Sequence, residues 1–169
     1  DSASFSKSVN TGTPPCRALA MDFPEDERLR EVDYAWLAGE RLLVVPFRAG
    51  MSELTMPLPP GVWCDFRTGE RHSGEVTLKP ELGELPILVR ENSVIPLADP
   101  VEFVENGMQY QLTLRVYGSA PEPARLFADD GWSFDYEDAA VPAWGTVDAD
   151  GTLSAGLGKR YSVKAVERL

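Results

Sequence analysis

The sequence has little of what most catalytic and metal sites are built from. Its 169 residues include two cysteines and one histidine. Cys16 and Cys64 lie too far apart in sequence to suggest a disulfide framework, and both are expected to be small buried hydrophobes. No Cys-x-x-Cys pair and no His/Cys cluster is present, which excludes a zinc site. His72 stands in the polar stretch Glu70-Arg71-His72-Ser73-Gly74 with no nucleophile beside it, and reads as a solvated loop histidine. There is no Gly-x-Ser-x-Gly elbow and no phosphate-cradling glycine loop, so no cofactor is implied. No apolar run approaches the roughly 18 residues of a membrane helix. Base is short too: Lys plus Arg is 16 against 27 for Asp plus Glu, a net charge of −11. That balance repels phosphate backbones and argues against a nucleic-acid partner. Between Arg125 and Lys159 there is no base at all, and seven carboxylates stand there without a local cation.

What is present is enough apolar material for a core, 43% of the chain, in one domain or two small ones. Residues 1–13 are a Ser/Thr-rich tail, in which Phe5, Val9 and Gly12 read as the frayed end of a helix. Residues 22–39 predict the one helix. Asp22-x-x-Glu25 is a capping pair, Pro24 suits the first turn, and Leu29, Val32, Trp36 and Leu37 recur on one face before the Gly39 stop. The period then changes. Leu42 to Phe47 is a short continuous apolar run. Leu54, Met56 and Leu58 alternate with Thr55 and Pro57. Val62, Cys64 and Phe66 alternate with Trp63, Asp65 and Arg67. Val76/Leu78, Ile87–Val89 and Val94–Ile95 follow. Beyond Glu105-Asn106-Gly107 come Leu112/Leu114/Val116, Leu126, Phe134/Tyr136 and Tyr161/Val163/Ala165, with a hairpin turn at Asp150-Gly151. The fold class is therefore all-β: antiparallel β-sandwich modules, a proximal one over 14–104 and a smaller distal one over 105–169.

Two carboxylate clusters are the visible candidates for chemistry, Asp129-Asp130-Gly131 and Asp148-x-Asp150-Gly151. Calcium would use such oxygens, but the full EF-hand loop is missing and both clusters have turn chemistry. Glycoside hydrolysis needs two carboxyl groups flanking one bond, and adjacent aspartates meet that requirement poorly. No residue is assigned as catalytic or metal-binding. Trp63, Trp132 and Trp144 could stack on a sugar ring, Trp132 and Trp144 being retained as candidates; core packing is the competing reading for each. The free-standing alternative is a carbohydrate-binding or purely structural β-sandwich. Two thiols without a disulfide lean toward a reducing, cytoplasmic compartment.

An ordered set of motifs resembles a known family. Gly12-x-Pro14-x-x-Arg17-x-Leu19 and Phe23-Pro24-x-Asp26 come first, then Gly39 ahead of Leu42-Leu43-Val44-x-Pro46. Leu58-Pro59-x-Gly61-x-Trp63-x-Asp65-Phe66-x-Thr68-Gly69 and Pro86-x-x-Val89-Arg90-x-x-Ser93-x-Ile95-Pro96-Leu97 follow. Asp129-Asp130-Gly131-x-Ser133-x-x-Tyr136-Glu137 is last. Together they resemble the C-terminal part of family 31 glycoside hydrolases, the α-glucosidase and α-xylosidase family. The resemblance implies proximal and distal β-sandwiches that follow a catalytic β/α barrel, the end of whose last helix would be residues 1–11. It implies a carbohydrate substrate for the parent and an intramolecular partner, the barrel. The family's two catalytic aspartates lie on barrel strands that this sequence does not match. The Asp at position 1 fits a piece of a longer chain. Two departures stand out: Asn92 and Ala139 occupy positions where the family usually has Gly. Asn tolerates positive φ, so the first turn is expected to survive. Ala does not, so the distal hairpin is expected to differ. Arg90 is expected to pair with a carboxylate or cap carbonyls.

Overall fold

The structure, a computed structural model, describes residues 12–103, 105, 107–127 and 144–169. Phe5, Val9, Asp129, Asp130, Gly131, Trp132, Tyr136 and Ala139 lie outside the described residues. Contacts group the chain into two compact units that divide between Glu91 and Asn92.

The first unit is built on one six-stranded sheet. Its strands are β1 (Cys16–Ala18), β2 (Trp36–Ala38), β3 (Leu42–Val44), β4 (Leu54–Asp65), β5 (Arg71–Leu78) and β6 (Ile87–Arg90). They lie in the order β1-β2-β3-β6-β4-β5, and every neighbouring pair is antiparallel. Leu37, Leu43 and Leu88 meet across successive registers. They form the core with Val45, Met56, Leu58, Trp63, Val76 and Leu78. Leu19, Leu29, Val32 and Ala35 cover it from the segment joining β1 to β2.

That segment differs from the expected helix over 22–39. It contains two single-turn helices, Leu19–Asp22 and Glu27–Arg30. Asp26, not Asp22, caps the second by accepting from the Arg28 N–H at 3.0 Å. Trp36-Leu37-Ala38 is a strand because β1 and β3 stand on either side to take its backbone bonds. Those tertiary pairings outweigh the local helical spacing. Gly39 does adopt positive φ, at 69°, but in the turn leading from β2 to β3 rather than as a helix stop. Leu29, Val32 and Leu37 are core residues, as a helix would also have made them.

The alternation read through β4 also fails at one place. Pro57 pairs with Glu75 and Val62 with Ser73, so five steps on β4 answer two on β5. An odd number of extra residues reverses the faces. Trp63 therefore turns inward beside Met56 and Leu58 and is 0% exposed. Its Nε1 donates to the Pro59 carbonyl at 3.0 Å. This removes Trp63 as a sugar platform.

Among the described residues the second unit has five strands: β7 (Ser93–Ala98), β8 (Tyr110–Tyr117), β9 (Ala124–Phe127), β10 (Trp144–Val147) and β11 (Tyr161–Arg168). One sheet has the order β11-β8-β7, and the other is the β10-β9 pair. β7 pairs antiparallel with β8 from Ser93↔Tyr117 to Ala98↔Leu112, which ties residues 93–98 to the later strands. The division thus falls before Asn92, whereas the polar link at 105–107 suggested one after 104. β11 runs parallel to β8, with a register shift between Val163 and Ala165. Val94, Leu112, Leu114, Val116, Ala124, Leu126, Val147 and Leu157 form the core of this unit.

Candidate functional site

The two-stranded sheet of the second unit has two unlike faces. Successive side chains alternate along a strand. Ala124, Leu126 and Val147 point into the core, while Arg125, Phe127, Trp144 and Thr146 lie on the other side. Gly145 belongs to the inner face: a Cβ there would sit 2.5 Å from Leu157 Cγ and from Ser154 Oγ. On the outer face Trp144 pairs in register with Phe127, their ring centroids 4.8 Å apart and tilted by 49°. The Arg125 guanidinium lies 5.0 Å from the Trp144 ring centroid. The Tyr161 hydroxyl donates to the Phe127 carbonyl at 2.6 Å and fixes the end of β9. Half-exposed rings beside a guanidinium offer a flat apolar surface next to hydrogen-bond donors, a combination suited to a sugar. Of the predicted pair, Trp144 is in this cluster and Trp132 lies outside the described residues. Arg125 and Phe127 were missed by the sequence reading. Their signal was their position on either side of the inward Leu126.

The second carboxylate cluster is a turn. Asp148 N–H donates to the Thr152 carbonyl at 2.9 Å, and Gly151 N–H to the Asp148 carbonyl at 3.0 Å. Asp150 accepts from the Thr152 N–H at 2.8 Å, and that bond holds its carboxyl below the ordinary range. Asp65 does the same work between β4 and β5. Its Oδ1 accepts from the Arg67 and Thr68 N–H groups, at 2.9 and 2.7 Å, and from Thr68 Oγ1 at 2.9 Å. Among the described residues no group of three or more His, Cys, Asp and Glu is placed to hold a metal ion.

Three other singled-out residues have structural settings. Arg17 is 4% exposed and forks onto Asp22, Nε to Oδ1 at 2.8 Å and Nη2 to Oδ2 at 2.7 Å. It also donates to the Pro14 and Gly39 carbonyls, at 3.2 and 3.0 Å. The hydrogen bond and charge of Asp22 raise its already high pKa. Arg90 takes neither a carboxylate nor a carbonyl at Nε, which is buried without a partner. Its guanidinium lies 5.1 Å from the Trp63 ring centroid. Asn92 has φ 62°, the one non-glycine residue at positive φ among the described residues. Its side chain accepts from the Ala120 N–H at 3.1 Å, so the substitution for glycine keeps the turn and adds a bond. The cysteines are both free. Cys64 is buried, which pushes its thiol pKa up, but Cys16 is exposed because it lies on the outer face of β1, contrary to expectation.

Comparison with known proteins bears on the whole chain. Residues 12–95 match the model of the glycosyl hydrolase family 31 C-terminal domain. An α-glucosidase of Schizosaccharomyces pombe is 31% identical over 94% of this chain and 17% of its own length. A GH31 α-xylosidase from Xanthomonas citri has a similar structure, with a TM-score of 0.71 and 26% identity over 96% of this chain and 19% of that one. A GH31 dextranase from Flavobacterium johnsoniae gives a TM-score of 0.69 and 27% identity over 83% of this chain and 18% of that one. The chain thus spans less than a fifth of the length of the relatives it matches. Motifs, fold and relatives agree that this all-β chain belongs to glycoside hydrolase family 31, whose C-terminal region it represents.

Proposed function

We propose that the chain is the non-catalytic C-terminal β-sandwich part of a retaining α-glycosidase, bracing a catalytic barrel carried elsewhere in the parent. The observation that carries this reading is the match of residues 12–95 to a C-terminal domain of the family. The parent would cleave an α-glucosidic or α-xylosidic bond with one nucleophilic and one proton-donating aspartate, through a covalent glycosyl intermediate. The carboxylates seen here serve another purpose: Asp22 holds an arginine, while Asp65 and Asp150 hold turns. The isolated chain is expected to turn over neither aryl α-glucosides nor aryl α-xylosides. Turnover abolished by substituting one of its own carboxylates would overturn the reading.

A second reading concerns the outer face of β9 and β10. Arg125, Phe127 and Trp144 would bind a glycan chain weakly and hold it near the parent enzyme. Calorimetric titration with an α-glucan oligosaccharide should give heat that Trp144→Ala abolishes. No heat with the unsubstituted chain counts against this reading and leaves the bracing role untouched.

A further inference from the structure

One row of the first sheet gathers base without acid. β3 and β6 pair as Leu42↔Val89, Leu43↔Leu88 and Val44↔Ile87. The next step of that register sets Arg41 opposite Arg90, and the Arg90 N–H donates to the Arg41 carbonyl at 2.8 Å. On the other side of β6, Arg90 pairs with Trp63 of β4, and Trp63 pairs with His72 of β5. Residues directly opposite each other share a face of the sheet. The row therefore reads Arg41, Arg90, Trp63, His72. Glu91 does not serve it, being paired with Arg71. Arg71 stands in register with Cys64, one residue on from Trp63 and so on the opposite face. Two like charges set opposite each other work against a sheet unless something negative lies between them.

The Arg90 side chain supplies a second observation. Its Nε is buried and has no hydrogen-bond partner among the described residues. The Nε groups of Arg17 and Arg28, by contrast, donate to Asp22 and Asp26 at 2.8 and 3.1 Å. A buried donor left unmatched costs free energy and calls for an acceptor. The Arg90 guanidinium lies 5.1 Å from the Trp63 ring centroid, and the indole is itself fixed by its bond to the Pro59 carbonyl. The ring covers one face of the guanidinium, so an acceptor has to arrive at the edge, where Nε–H and one Nη–H run parallel. A planar carboxylate meets that edge with both oxygens.

We propose that Arg90, with Arg41 beside it, is a carboxylate-binding site of the first unit. The ligand accepts from Arg90 Nε and Nη and offsets the repulsion between the two arginines. Its carboxylate comes either from a small free acid or from an Asp or Glu side chain elsewhere in the parent. The second source rests on the bracing role proposed above; the site itself does not.

The test follows the arginine Nε–H resonances of the isolated chain by NMR, as acetate replaces chloride at constant ionic strength. The Arg90 Nε–H should move downfield and saturate, while those of Arg17 and Arg28, already taken, stay in place. Arg90→Lys should remove that resonance, which assigns it, together with the acetate-dependent shift of the Trp63 indole N–H. Arg41→Gln, which keeps the reporter, should weaken acetate binding by about fivefold. In the full-length parent, an Arg90 Nε–H already at the saturated position and indifferent to acetate identifies a side chain as the source. One that titrates as in the isolated chain identifies a free acid. An equal saturable shift with inorganic phosphate would overturn the choice of a carboxylate. No saturable shift with acetate in the isolated chain would overturn the site and leave the bracing role standing.

Discussion

In the first unit, backbone carbonyls beside strand ends and in the irregular part of β4 are claimed by large side chains. Arg17 takes those of Pro14 and Gly39, and the Trp63 indole takes that of Pro59. In the second unit the corresponding close approach is apolar: Leu157 presses on a position that only glycine can fill, at Gly145. Side chains claim carbonyls there as well, Tyr161 that of Phe127, Gln109 that of Gly158 and Arg168 that of Ala149. Side chains that both bury surface and place a hydrogen bond demand particular residues in a particular order. Apolar packing tolerates many substitutions of similar size. The family model matches residues 12–95, nearly the extent of the first unit, whereas whole relatives match across both units.

Substitutions should act on the two units separately. The largest effect is expected for Trp63→Ala, which empties the centre of the first core. It should cost about 3–5 kcal/mol, read as a fall in the urea midpoint, with exchange protection lost in β3, β4 and β6 before β8. Arg17→Met should cost about 2 kcal/mol, since the Gly39 and Pro14 carbonyls lose their donor and Asp22 its cation. Arg17→Lys should recover less than half of that, because an ammonium cannot reproduce the fork. Gly145→Ala should cost about 1–3 kcal/mol by forcing Leu157 aside, with exchange accelerated in β9 and β10 and not in β4. If Gly145→Ala instead loosened the first unit, the separate character of the two would be refuted.

The smallest effect concerns pH. Asp150 is depressed by its bond from Thr152, so it favours folding above its ordinary value of 3.8. That contribution is lost as pH falls through the still lower folded value. The Asp150→Asn chain should lack this acid-sensitive component, seen as a shallower loss of stability below about pH 4 in paired acid titrations.

The sequence already carried the strand content, the Asp150-Gly151 turn and the survival of the Asn92 turn. Each of these is set by neighbours in the chain. The helix over 22–39 was misread because its apolar spacing fits either period, and only the presence of β1 and β3 decides between them. The exposed position of Cys16 likewise depends on the edge of a sheet that local pattern does not reveal. Trp144 was legible as a candidate, but Arg125 and Phe127 became partners only through the pairing of β9 with β10.

The irregular stretch between Pro57 and Val62 has a consequence for how this family can vary in length. Removing or adding two residues there would leave Trp63 on the side it now occupies. Beyond it, the pairings of Trp63 with His72 and Arg90, and of Cys64 with Arg71 and Val89, hold the indole inward whatever the length of the stretch. Variation in chain length within β4 should therefore gather between Pro57 and Val62, where no ladder pairing has to be broken.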